Sequence, residues 1–226
     1  MKQALIRHLS GCLTTERLEL FESKLEQRTR YLTLVLEDIF QPQNASAVVR
    51  TADCFGLQEI YVVENRNRFV VDREIAMGAS KWIDIMKFNG KDNNTMEAIT
   101  HLRQKGYRIV GTSPHENGVN LEDYDLTKGK VALFMGTELS GISSLIKQEA
   151  DEFLKIPMYG FTESLNISVS AAIILHDLTH RLRFYSQVDW HLTPDEREEI
   201  KLNWLRHSIK SSALIEERFL NMAARS

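Results

Sequence analysis

The feature that most constrains this chain is a repeated change of period between residues 31 and 185. Short apolar runs of strand length alternate there with stretches patterned for helix. The runs are YLTLVLEDI (31–39), EIYVVE (59–64), KWIDIMKF (81–88), YRIVGT (107–112), KVALFMG (130–136) and EFLKIP (152–157). AVVRTADCF (47–55) and residues 72–79, 92–104 and 142–150 read as helices between them, and a long helix runs from Leu165 to Tyr185. Near-continuous apolar strands separated by helices define an α/β fold with a mostly parallel sheet and helices on both faces.

The flanks have a different pattern. Residues 3–28 place Leu13, Leu18, Leu20, Phe21 and Leu25 at helical spacing, which predicts one or two short helices. From Trp190 onward the pattern is helical and polar, opened by a capping signal at Thr193-Pro194-Asp195-Glu196. The expected organisation is an N-terminal helical arm (1–30), a core (31–185) and a C-terminal helical tail (186–226). At 226 residues, one domain with appendages is the expected size class.

Several classes of function are excluded. No apolar run approaches the roughly 20 residues that cross a bilayer. The N-terminus interleaves charged and apolar residues, so no signal peptide is expected there. Cys12 and Cys54 fit no metal or redox spacing and are expected to be small buried hydrophobes in a reducing compartment, the cytoplasm. A net charge of −3 means that any affinity for nucleic acid rests on local patches. Two stretches qualify: residues 24–30, with Lys24, Arg28 and Arg30, and residues 200–212, with Lys201, Arg206, Lys210 and no acid. Each also fits an ordinary solvated helix face. Trp190 and Trp204 suit either base stacking or packing of the tail.

Chemistry in an α/β sheet is expected beyond the carboxyl ends of the strands, and three unusual segments lie at such junctions. The first runs from Gln41 through Asn44 to Arg50-Thr51-Ala52-Asp53. Asn44 is a candidate N-cap, and Arg50 lies about 120° around the helix from it. Arginine suits phosphate and ribose contacts because its charged fork donates in parallel. The second segment, Phe134-Met135-Gly136-Thr137-Glu138-Leu139-Ser140-Gly141-Ile142, is a strand end, a tight loop and a helix expected to open near Ser140. Gly136 would let a ligand approach the backbone, and an ordinary turn has no need of Glu138. The third runs from Ile156-Pro157-Met158 to Ser164-Leu165-Asn166-Ile167-Ser168 and into a helix of small residues. A single N-cap explains one polar residue there, not three. No Walker loop or G-x-G-x-x-G is present, which disfavours a nicotinamide dehydrogenase. His176 and His180 have the spacing of a metal pair but no evident third ligand, so no metal is expected. Nothing in the sequence decides the role of His115.

These segments, in this order, resemble the three motifs of the SpoU branch of the SPOUT superfamily, and the resemblance covers about Leu32 to Leu182. It implies an RNA 2′-O-methyltransferase that binds S-adenosylmethionine in a C-terminal trefoil knot and works as a homodimer. The matched positions place the cofactor against Thr112, Gly136, Ile156 and Leu165. Asn44, Arg50, Glu138, Ser164 and Asn166 would face the reacting ribose and its phosphate. Arg50 is the residue the family casts as catalytic. Helical extensions on both sides of the core resemble the members that methylate guanosine 18 in the tRNA D-loop. The alternatives are ribosomal RNA, another tRNA position, or a non-catalytic RNA-binding protein of the same fold.

Overall fold

The computed structural model describes residues 1–91, 93–137 and 140–223. These fall into two compact units, one of residues 29–190 and one that joins residues 1–28 to the chain from His191 onward.

Seven strands build the first unit: β1 (Leu32–Glu37), β2 (Glu59–Val63), β3 (Asp84–Phe88), β4 (Arg108–Thr112), β5 (Val119–Asn120), β6 (Val131–Met135) and β7 (Glu152–Lys155). They pair in the order β3-β2-β1-β6-β4-β7-β5, and every pairing is parallel. Successive side chains of a strand point to opposite faces, and this sorts the core in two. Leu34, Leu36, Ile60, Val62, Leu133 and Met135 face one side, where they meet helices α3 (Pro42–Cys54) and α7 (Ile167–Phe184). Val35, Tyr61, Val63, Ala132 and Phe134 face the other, beneath α5 (Asn94–Gln104) and α6 (Ser144–Glu149). A short helix, α4 (Arg73–Ala76), precedes β3. On α7 the buried positions 167, 171, 174, 175, 178 and 182 recur at helical spacing and form its core-facing stripe.

The second unit contains α1 (Lys2–Ser10), α2 (Thr15–Glu26), α8 (Pro194–Ser208) and α9 (Ser212–Ala223). The arm and tail, expected as separate extensions, are therefore one packed body. Thr193 and Glu196 form the capping box that opens α8. Trp204 is buried, edge-on to Phe21 at 5.4 Å.

Several sequence expectations need correction. Asn44 does not cap α3: Gln41 takes the N-cap position, without a capping side-chain hydrogen bond, and Pro42 takes the first helical position, where its missing N–H costs nothing. The helix after β6 opens at Ser144, capped by Ser143, rather than near Ser140. The strand expected over 81–88 begins only at Asp84, because residues 79–81 form a 3-10 turn. The two-residue β5 has no period to read and was not expected. Cys12 and Cys54 are exposed rather than buried, the first just beyond α1 and the second at the last position of α3. Among the described residues no helix is long and apolar enough to cross a membrane.

Candidate functional site

A cleft of about 260 Å³ lies beyond the carboxyl ends of β4, β6 and β7 and against the start of α7. Thr112, Gly136, Ile156 and Leu165 all line it, and Ser164 lines it with them. Thr112 closes β4 and donates its hydroxyl to the Phe134 carbonyl at 2.9 Å, which fixes the end of β4 to β6. The walls are mixed in chemistry. Met135, Leu154 and Ile174 are apolar, whereas Ser113, Thr137 and Ser170 are polar.

The loop after β6 forms one wall and is closed on itself. Thr137 and Gly141 exchange two backbone hydrogen bonds, each 3.0 Å long, and Gly141 adopts a φ of 65° that favours glycine. Gly136 lies directly under this closure: a Cβ there would meet the Gly141 carbonyl carbon and oxygen at 2.1 Å. Glu37, at the end of β1, holds the far end of the loop. Its buried carboxylate accepts the Ser143 hydroxyl at 2.9 Å, the Ser143 N–H at 3.2 Å and the Thr95 hydroxyl at 2.7 Å. Sequence reasoning missed Glu37, although a carboxylate ending a strand otherwise apolar but for Thr33 was the available signal. Glu138 lies outside the described residues.

The first and third segments meet at a pair of amides. Asn166 donates from Nδ2 to Asn44 Oδ1 at 3.1 Å across 122 residues of sequence. The same Asn166 caps α7, its Oδ1 accepting the Ser168 N–H at 2.9 Å and the Ser168 hydroxyl at 2.7 Å. Asn44 donates in turn to Gln41 Oε1 at 3.1 Å. The oxygen of each amide is thus directed by a fixed partner. Because the flanking Leu165 and Ile167 both line the cleft, this pair stands at its edge.

Arg50 is not brought to the cleft in the same way. It is exposed on α3, about 9 Å along the helix from Asn44, and makes no ion pair or side-chain hydrogen bond among the described residues. The cations expected to contact RNA are mostly engaged. The Arg28 guanidinium lies 5.4 Å over the Trp204 ring. Arg30 reaches Asp84 at 3.0 Å and Glu59 at 3.4 Å. Lys201 pairs with Glu22, and Arg206 with Glu216 at 2.9 Å. Residues 200–212 contain no acid of their own, but α2 and α9 supply it. Lys24 and Lys210 remain exposed. Trp190 packs against the core under the Arg183 guanidinium, 5.3 Å from its ring. His115 lines the cleft, and the His176 and His180 rings stack 6.2 Å apart on α7.

A parallel sheet with a ligand-sized cleft over the ends of adjacent strands defines an α/β protein that binds its ligand at the strand ends. Comparison with known proteins narrows the class. Residues 31–176 match the SpoU rRNA Methylase family. A tRNA (guanosine(18)-2′-O)-methyltransferase of Borreliella burgdorferi is 42% identical over 208 residues, 92% of this chain and 93% of its own. The crystal structure of the A. aeolicus TrmH/SpoU tRNA modifying enzyme superposes with a TM-score of 0.74 at 30% identity, covering 86% of this chain and 98% of that one. An AdoMet-bound rRNA methyltransferase from Sinorhizobium meliloti gives 0.58 at 26% identity, covering 71% and 59%. The chain belongs to the SpoU methylase family.

Proposed function

We propose that this chain methylates a ribose 2′-oxygen in tRNA, at guanosine 18 of the D-loop, with S-adenosylmethionine as methyl donor. The observation that carries the reading is the Asn44–Asn166 pair at the edge of the cleft, which joins two of the three motifs. Position 18 is favoured by the Borreliella relative, whose match takes in 92% of this chain, whereas the ribosomal RNA enzyme covers 71% of it. A tRNA substrate puts the enzyme in the cytoplasm.

The cleft fits the cofactor. It offers apolar surface for an adenine and a methionine chain, hydroxyls from Thr112, Ser164 and Ser170, and backbone brought close by Gly136. When bound, S-adenosylmethionine supplies an activated methyl group. The chain must aim the 2′-hydroxyl at it and allow that hydroxyl to lose its proton. Arg50 is the phosphate anchor and steadies the developing alkoxide; a guanidinium has no acceptor while charged, so a phosphate oxygen or water takes the proton. Because Arg50 does not line the cleft of its own chain, a homodimer in which the partner supplies it completes the site. An exposed stripe of Val169, Ile173 and Phe184 on α7 supports such pairing. The strand order β6-β4-β7-β5, with α7 returning onto α3, is consistent with a trefoil knot. Lys24 and Lys210 are the RNA contacts of the extensions.

Methyl transfer from labelled S-adenosylmethionine to tRNA and to ribosomal RNA, with the modified nucleotide mapped, tests the reading. The expected product is 2′-O-methylguanosine in the D-loop; label in ribosomal RNA alone would overturn the substrate. A second expectation concerns Asn166→Ala. Removing a cap and one neutral hydrogen bond costs about 1–2 kcal/mol, a fall in Tm of a few degrees. If the amide also orients the reacting ribose, kcat falls at least roughly a hundredfold, far beyond that loss of stability. A thermal scan beside single-turnover kinetics separates the two, and a rate that follows stability alone reduces Asn166 to a cap.

A further inference from the structure

The cations that stay unengaged in the core point to a second RNA contact, on the loop after β2. Asp38, just beyond β1, adopts a φ of 51°, and its Oδ1 accepts the backbone N–H groups of Asn65, Arg66 and Asn67 at 2.7, 2.8 and 3.3 Å. Asn67 returns a side-chain donor to the Asp38 carbonyl at 2.8 Å. The Glu64 carboxylate closes the other end by accepting the Phe69 N–H at 2.9 Å and the Lys87 ammonium at 3.0 Å. This exposed loop is therefore held at both ends by carboxylates. It displays Arg66 and Arg68, which are exposed and have no side-chain partner among the described residues. Phe40, two residues beyond Asp38, is 70% exposed.

The loop is also connected to the cleft. Asn65 Nδ2 donates to Thr95 Oγ1 at 2.8 Å, Thr95 donates to Glu37 at 2.7 Å, and Glu37 receives the Ser143 hydroxyl at 2.9 Å. A continuous chain of hydrogen bonds thus runs from the arginine-bearing loop to the residue that caps α6 behind the Gly136 loop. The cost of ordering such a loop is offset only if its position matters, and its two forks lie at the same carboxyl edge of the sheet as the cleft.

We propose that Arg66 and Arg68 bind consecutive phosphates of the substrate RNA and that Phe40 stacks on an adjacent unpaired base, setting the RNA in register with the cleft. This rests on the proposed tRNA substrate. Arginine on phosphate contributes affinity that falls with salt, whereas stacking contributes affinity that does not.

The test measures the salt dependence of tRNA binding together with steady-state kinetics. For Arg66→Ala/Arg68→Ala, KM for tRNA is expected to rise at least about tenfold while kcat and S-adenosylmethionine affinity hold. The slope of log K against log salt should fall by about one unit per arginine. Arg66→Lys/Arg68→Lys should recover most of the slope, because the charge remains. Phe40→Ala should weaken binding about tenfold at an unchanged slope. A wild-type enzyme that methylates tRNA, together with a double alanine variant of unchanged slope, overturns the proposed loop contact alone. A wild-type enzyme that binds no tRNA overturns the loop contact and the proposed substrate together.

Discussion

Arg50→Ala is expected to lower kcat by about a thousandfold while S-adenosylmethionine binding stays at its wild-type value. The figure is the upper end of what removing one transition-state charge partner costs in a preorganised site. Cofactor affinity should hold because Arg50 is exposed on α3 and contributes nothing to the lining of the cleft. The lysine variant discriminates between roles. If position 50 accepted the proton, a lysine, with an ordinary pKa near 10.4, would act as base only when neutral. The rate would then climb about tenfold per pH unit from 7 to 9. If position 50 anchors a phosphate, the lysine retains a point charge without the fork, and a reduced rate shows no such climb. A mixed-dimer experiment locates the residue. Arg50→Ala chains combined with Asn166→Ala chains regain activity when Arg50 acts on the partner's cleft, since one site per dimer is then intact. Mixtures as inactive as their parents would place Arg50 on its own chain's cleft.

The parts of this fold that were legible in the sequence depend on local period. Leu34, Leu36, Leu133 and Met135 fall on one face and Val35, Ala132 and Phe134 on the other, because the pleat has a period of two whatever the strand order. The order β3-β2-β1-β6-β4-β7-β5 was not legible, because nothing in an apolar strand names its neighbours. Caps show the same division. Thr193 and Glu196, three residues apart, gave a capping box that the structure contains. Asn44 has the chemistry of a cap, but Pro42 fixes the helix start three residues earlier than a cap at Asn44 would.

Charge was the least legible property. The tail sequence from Ile200 to Ser212 has no acid, yet Lys201 meets a glutamate 179 residues away. Such an exposed or half-exposed pair adds about 0–1 kcal/mol of stability, but it removes a cation from those left open to an anionic partner. The reverse holds around Arg66 and Arg68, where Glu64, Asp72 and Glu74 nearby in sequence suggest a neutral segment. In the fold, Glu64 and Asp72 are occupied, the first with the Phe69 N–H and Lys87, the second with the N–H of Glu74, and the two arginines remain open. The site itself divides in the same way. The loop residues that line the cleft were marked by their motifs, whereas Glu37, which braces the loop from behind, sits in a strand and carried no motif.

That brace gives Gly136→Ala its expected consequence: loss of cofactor binding from a chain that still folds. An added methyl would overlap the Gly141 carbonyl at 2.1 Å and the Ile142 nitrogen at 2.3 Å. Both are backbone atoms, so no rotamer change relieves the overlap. The neighbouring contacts do not yield easily either. Thr137 and Gly141 are joined by two hydrogen bonds, and beyond them Ser143 is pinned to Glu37 by two more. The loop must therefore open, giving up at least the Thr137–Gly141 pair, at a cost of about 1–3 kcal/mol for the strain. A stability loss of that size leaves a domain of ordinary stability folded. For the cleft, however, a shift of one wall by even an ångström is severe, because Gly136, Thr137 and Gly141 all line it. S-adenosylmethionine affinity should drop at least about a hundredfold, which corresponds to some 3 kcal/mol. Gly90→Ala is the matched control, since a methyl there meets nothing within 4 Å and should alter neither property. Calorimetric titration of both variants decides the matter. A Gly136→Ala protein with a native melting transition and wild-type affinity would show that the closed loop is no wall of the cofactor site.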